Sequence, residues 1–186
     1  MLRQLSLRYD SLTISTNYMP TGDRHLTPQT SDHRANPCDE TIQIGPLAVH
    51  FLITGEHSNG TVLAFELVVP IGRGLNAPAH SHDHYEETIF GIDGVSSWTV
   101  DAQEIEVGPG QALCIPRGAV HRFDNKGSRD VKVLCVITPA AIGPQYFREI
   151  AVVVNAGVGS RPDEAKLAEI MRRHGLTPVP RLERRS

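Results

Sequence analysis

From residue 41 to about residue 137, every apolar run is short and ends in a turn former. Ala48–Thr54 is one such run and Thr61–Val69 is the next, with Ser58-Asn59-Gly60 between them. Asn-Gly favours the hairpin turn with positive φ at both central residues. Further strand-like runs lie near residues 78–83, 87–92, 95–101, 103–107, 112–116, 120–124 and 131–137. Many short strands at close spacing predict an all-β barrel or sandwich.

The flanks read differently. Residues 1 to about 40 are polar and rich in turn formers, as in Thr21-Gly22-Asp23-Arg24 and Asn36-Pro37, and are expected to be an arm, extended or mobile. His25 and His33 in this arm are expected to be solvated. After the strands, Tyr146–Ile150 opens a short helix, and a stronger helix is predicted from about Arg161 to His174. Ser160 with Asp163 three residues on fits a capping box. Leu167, Ile170 and Met171 form an apolar stripe, and Arg172, Arg173, His174 and Gly175 suit a helix end. The predicted organisation is therefore an arm at 1–40, a barrel at 41–140 and a helical extension at 141–186.

Composition removes some function classes. A net charge of -3 argues against a nucleic-acid partner. No apolar stretch is long enough to span a bilayer, and Met1–Arg8 lacks the apolar core of a secretory signal, so a cytoplasmic protein without a membrane partner is expected. Cys38, Cys114 and Cys135 are a poor disulfide framework. Cys114 and Cys135, each inside an apolar run, are expected to be buried core thiols.

The chemistry concentrates in two stretches. In Ala79-His80-Ser81-His82, alternate side chains share a face and lie roughly 6.5–7 Å apart along the strand. Both imidazoles can therefore address one point, and a return of the chain after Asp83 would bring Glu87 beside them. Two imidazoles and a carboxylate form a facial set suited to non-haem iron and related ions. In the second stretch, Pro116 and Gly118 turn the chain and His121 opens the next strand, where it could add a third imidazole.

These stretches resemble the two signature motifs of the cupin superfamily. Gly74, His80, His82, Glu87 and Gly94 match the first, and Gly110, Pro116, Gly118, His121 and Asn125 match every position of the second. With Gly and Pro at about 7% and 5%, the second pattern arises at a given start by chance less than roughly once in a million. The resemblance implies a single-domain cupin: a double-stranded β-helix, or jelly roll, carrying a short C-terminal helical tail. It implies one divalent ion (Fe, Mn, Ni, Co or Zn) on His80, His82, Glu87 and His121. Glu86 is an alternative to Glu87, and the six residues separating Glu87 from Gly94 favour Glu87. His84 continues the alternation and is either a rim histidine or a support for the site.

The run from Ile137-Thr138-Pro139 through Gly143–Glu149 is loosely similar to the tail of quercetinase-like dioxygenases. The leading expectation is thus a metal-dependent dioxygenase acting on a small organic molecule such as a chelating enol or flavonol, with Glu87 as general base. The alternatives are a metal-dependent isomerase or lyase, and a non-enzymatic small-molecule binder. Trp98, Phe123 and Tyr146 are candidates to wall the cavity, and Ile89 and Gly91 to line the barrel interior. His50 and His174 are expected to be structural. A homodimer is expected, because open-ended barrels expose sheet edges.

Overall fold

The structure is a computed structural model that describes residues 38–74, 78–157 and 162–179. His25, His33 and all but the last residues of the expected arm, together with Ser160 and Arg161, lie outside the described residues.

Among the described residues, ten strands precede two helices and a last short strand. They are β1 (Thr41–Ile44), β2 (Leu47–Ile53), β3 (Leu63–Val69), β4 (His80–His82), β5 (Glu86–Asp93), β6 (Ser96–Val100), β7 (Gln103–Val107), β8 (Ala112–Ile115), β9 (His121–Asp124) and β10 (Val131–Thr138). Then come α1 (Pro144–Ala156), α2 (Glu164–Arg173) and β11 (Leu176–Pro178). One antiparallel sheet runs β1-β2-β3-β10-β5-β8 and the other β11-β4-β9-β6-β7. Their inner faces enclose one apolar core. In β10, Val131, Val133, Cys135 and Ile137 are buried and the residues between them are partly exposed, the period of two that a half-buried strand requires. This is the all-β jelly-roll fold with a C-terminal helical tail that the sequence predicts.

Close approaches explain two of the motif glycines, Gly74 and Gly94, and the neighbouring Gly91. A Cβ on Gly74 would lie 2.2 Å from the Asp124 carboxylate. One on Gly91 would lie 2.1 Å from the Gly108 carbonyl oxygen. Gly94 has φ +71 and would put a Cβ 2.6 Å from the Asp130 carbonyl oxygen. Asn125, the last residue of the second motif, is a buried clamp. Its Nδ2 donates to the Val69 and Arg129 carbonyls, both at 2.9 Å, and its Oδ1 accepts from Gly127 N at 3.0 Å.

Several local expectations need correction. Asn59 and Gly60 do take positive φ, but the connection from β2 to β3 is longer than a two-residue hairpin, and β3 begins at Leu63. The terminal helix begins at Glu164, three residues late. Its N-cap is Asp163, whose side chain accepts from Lys166 N at 3.0 Å, instead of Ser160. Leu167, Ile170 and Met171 are its buried stripe, and Gly175 follows it with φ +79. Cys114 is exposed, not buried. It sits on the edge strand β8 opposite Thr88, one residue out of phase with Ile115, which faces the core opposite Glu87.

Candidate metal centre

The two sheets bring the motif residues together. His80 on β4 is the cross-strand partner of His121 on β9, and His82 lies two residues further along β4. Glu87 enters from the opposite sheet, on β5 between Ile137 of β10 and Ile115 of β8. His82, Glu87 and His121 each offer one ligand atom, all within 4.8 Å of one another. Glu87 Oε2 stands 3.6 Å from His82 Nε2 and 3.4 Å from His121 Nε2. His80 stands beside this group, its ring 4.5 Å from that of His121 and 6.3 Å from that of His82.

The opposite edge of each ring decides which nitrogen is available. His82 Nδ1 lies 2.9 Å from the Tyr85 carbonyl oxygen and His121 Nδ1 lies 3.1 Å from that of Ala119. His80 Nδ1 lies at 3.4 Å from the Pro78 carbonyl oxygen. A carbonyl oxygen only accepts, so Nδ1 carries the proton in each neutral ring and Nε2 keeps its lone pair. His82 Nε2 is buried and has no hydrogen-bond partner among the described residues. Two imidazole lone pairs therefore face a carboxylate at short range in a buried site. Only positive charge between them, a proton or a cation, makes that arrangement favourable. The residues present thus fit a divalent ion.

The electrostatics agree. Burial opposes charge on Glu87, but the His121 and His82 rings that face it outweigh burial and hold the carboxyl well below its ordinary range. Burial also opposes charge on His121, and the Glu87 carboxylate reverses that and raises its pKa. At His80 the compensation falls short: burial first, then repulsion from His121, outweigh attraction from Glu87 and lower its pKa from 6.5 to about 3. It is a neutral imidazole under physiological conditions, which is the form a ligand needs.

The site opens into a cavity of about 70 Å³ between the sheets, closed on one side by α1. Trp98, Phe123 and Tyr146 line it, as their sequence positions suggest. Tyr85, Cys135 and Ile150 line it too and were not singled out as wall residues from the sequence. Cys135 had a legible signal, since it shares the parity of Ile137 on β10. Ile150 had none, because only the docking of α1 brings it there.

The remaining candidates lie elsewhere. Glu86 points to Arg117, with a separation of 2.7 Å, and leaves the inner position to Glu87. His84 is exposed and is not a cavity residue. Ile89 is buried in the core. His50 hydrogen-bonds Thr41 through Nδ1 at 2.9 Å, and His174 caps α2 with Nε2 3.2 Å from Glu149.

Comparison with known proteins finds one family model and several partial likenesses. The family model described as a cupin domain matches residues 67–137. Quercetin 2,3-dioxygenase of Bacillus subtilis is 31% identical over 71 residues, covering 38% of this chain and 20% of that protein. An uncharacterised protein of Methanocaldococcus jannaschii is 31% identical over 74 residues, covering 40% of this chain and 58% of that one. The chain therefore spans less than two thirds of the length of either relative. Among solved structures, a predicted oxalate decarboxylase from Thermotoga maritima aligns with a TM-score of 0.49 at 18% identity, covering 57% of this chain and 96% of that one.

Proposed function

We propose that this protein is a metal-dependent dioxygenase acting on a small organic molecule, with His80, His82, Glu87 and His121 holding one divalent ion; the cupin-domain family model that matches residues 67–137 supports the reading. The observation that carries the reading is the pair of Nε2 lone pairs on His82 and His121 facing the Glu87 carboxylate, each ring oriented by a backbone carbonyl behind it. An ion held there would supply Lewis acidity and, if redox-active, electrons for dioxygen.

The chain's own contribution is orientation, dryness and a proton acceptor. The carbonyls of Tyr85 and Ala119 prevent the rings from flipping. Leu47, Phe65, Leu67 and Ile137 exclude water from the reacting atoms. Glu87 is the carboxylate placed to take a proton from an enol, provided it loosens from the ion. The apolar wall favours this reading over an isomerase or lyase for polyhydroxylated substrates, which would need more polar partners. The size of the cavity narrows the substrate. About 70 Å³ is under half the ~150 Å³ of an engineered cavity that admits benzene. A cavity of that size favours a compact enol over a flavonol while α1 holds this position.

Dioxygen uptake by metal-reconstituted protein, with a panel of compact enols, tests the proposal. Uptake in step with substrate loss, abolished in His121→Ala, is the expected result. Conversion that proceeds equally without dioxygen would point to a lyase or isomerase instead, and ligand binding without conversion to a binding protein.

We also propose a cytoplasmic homodimer. Among the described residues no helix is long and apolar enough to cross a membrane. Phe90 on β5 is exposed opposite β8, and Ile92 is exposed further along β5; among the described residues β8 pairs with β5 alone. Light scattering is expected to give twice the chain mass, and a monomer at every concentration would contradict it.

A further inference from the structure

Two phenols share the cavity with Glu87, and the metal reading gives neither hydroxyl a task. Tyr85 is 2% exposed and Tyr146 is 6% exposed, and both line the cavity. Among the described residues neither hydroxyl has a hydrogen-bond partner, whereas the nearby Trp98 Nε1 donates to Ser96 Oγ at 2.9 Å. Neither hydroxyl is among the fully enclosed polar atoms left unsatisfied, so each stays open to the cavity that its ring lines. That makes each a vacant donor facing the space where a ligand would sit.

Both rings are held in place. Tyr85 stacks on His82 with centroids 3.9 Å apart and planes 19° apart. Tyr146 packs edge-on against Phe147 at 5.1 Å and against His174 at 5.5 Å. They come from different parts of the fold, Tyr85 from the turn before β5 and Tyr146 from the first turn of α1. Burial first, and the Glu87 carboxylate second, push both phenols above their ordinary pKa, so both remain neutral donors.

The charge balance defines what such donors would meet. Glu87 is the charged residue of the cavity wall, and no Lys or Arg lines it among the described residues. A divalent ion with one carboxylate leaves one unit of positive charge in an apolar pocket. A monoanion neutralises it, whereas a dianion or a cation leaves charge buried and unpaired.

We infer that Tyr85 and Tyr146 are specificity-determining residues, donating hydrogen bonds to a second oxygen of a compact monoanionic substrate, a carboxylate or enolate whose first oxygen is presented to the ion. This rests on the metal reading above, and the test separates the two.

The protein is loaded with cobalt(II), and the binding of acetate is followed through the cobalt visible spectrum in wild type, Tyr85→Phe and Tyr146→Phe. The control probe is ethanethiolate, which coordinates through one atom and offers no second oxygen. Acetate affinity is expected to fall about tenfold in at least one Phe variant, the effect of one hydrogen bond to a charged acceptor. Ethanethiolate affinity, cobalt stoichiometry and thermal stability are expected to be unchanged. Equal acetate affinity in all three proteins would overturn the inference while leaving the metal site intact. Loss of cobalt in a Phe variant would also overturn it, by assigning that hydroxyl to support of the ligands. Failure of wild type to take up cobalt would overturn the metal reading itself, and this inference with it.

Discussion

At the scale of single residues, the site is built from groups that are unfavourable until something positive joins them. Its proton balance predicts how the metal-free protein responds to acid. The folded pKa of His80 lies near 3, below the 6.5 of an unconstrained imidazole. The unfolded chain therefore takes up that proton first, and stability declines as pH falls from about 6.5 toward 3. Glu87 adds to the decline below the ordinary carboxylate range, because its folded pKa is also depressed. His121, with a raised pKa, works in the opposite direction, adding stability below pH 6.5 that is lost as pH rises through its folded value. The displacement of His80 is the large one, so the net effect is acid destabilisation. Melting temperatures of chelator-treated protein across pH 7 to 4 measure it, and a flat profile would contradict the burial of His80. The clustering of His80, His82 and Glu87 was legible at this scale because His-x-His on a strand admits few geometries. Tyr85 was not, since its role depends on a stack with His82 that no spacing rule describes.

At the scale of elements, the long strands could be read from alternation, and the short ones could not. β1 has four residues and β11 three, too few for a period of two to emerge. β11 exists because the chain after α2 returns to pair with β4, Leu176 against His82 and Pro178 against His80. The face of Cys114 was illegible for another reason: in Ala112-Leu113-Cys114-Ile115 every residue is apolar, so the pattern names no inside. α1 runs to Ala156 through Val152, Val153 and Val154, a β-branched run that local propensity disfavours in a helix. Burial of Ile150, Ala151 and Val153 offsets it. Ile150 is 2% exposed and forms part of the cavity wall. Ile150→Ala is expected to cost about 2–4 kcal/mol in urea unfolding. It should also admit larger ligands, and a cost below about 1 kcal/mol would mean α1 does not seal the cavity. Gly94→Ala forces a side chain into positive φ against the Asp130 carbonyl. A loss of more than about 1 kcal/mol is expected from the same measurement, and an unchanged midpoint would remove the steric reason for that motif glycine.

At the scale of the whole molecule, two sheets that are unremarkable alone converge on one point. β4 and β9 bring the histidines, β5 brings the carboxylate, and α1 closes the space in front of them. An ion bound only by the folded arrangement stabilises the entire chain in proportion to its affinity. The most direct test is elemental analysis of purified wild type beside His121→Ala and Glu87→Ala. Near one equivalent of iron, manganese, nickel, cobalt or zinc per chain, lost in His121→Ala and in Glu87→Ala, is the predicted result. Wild type that holds no metal even after reconstitution would leave the barrel standing and contradict the metal centre.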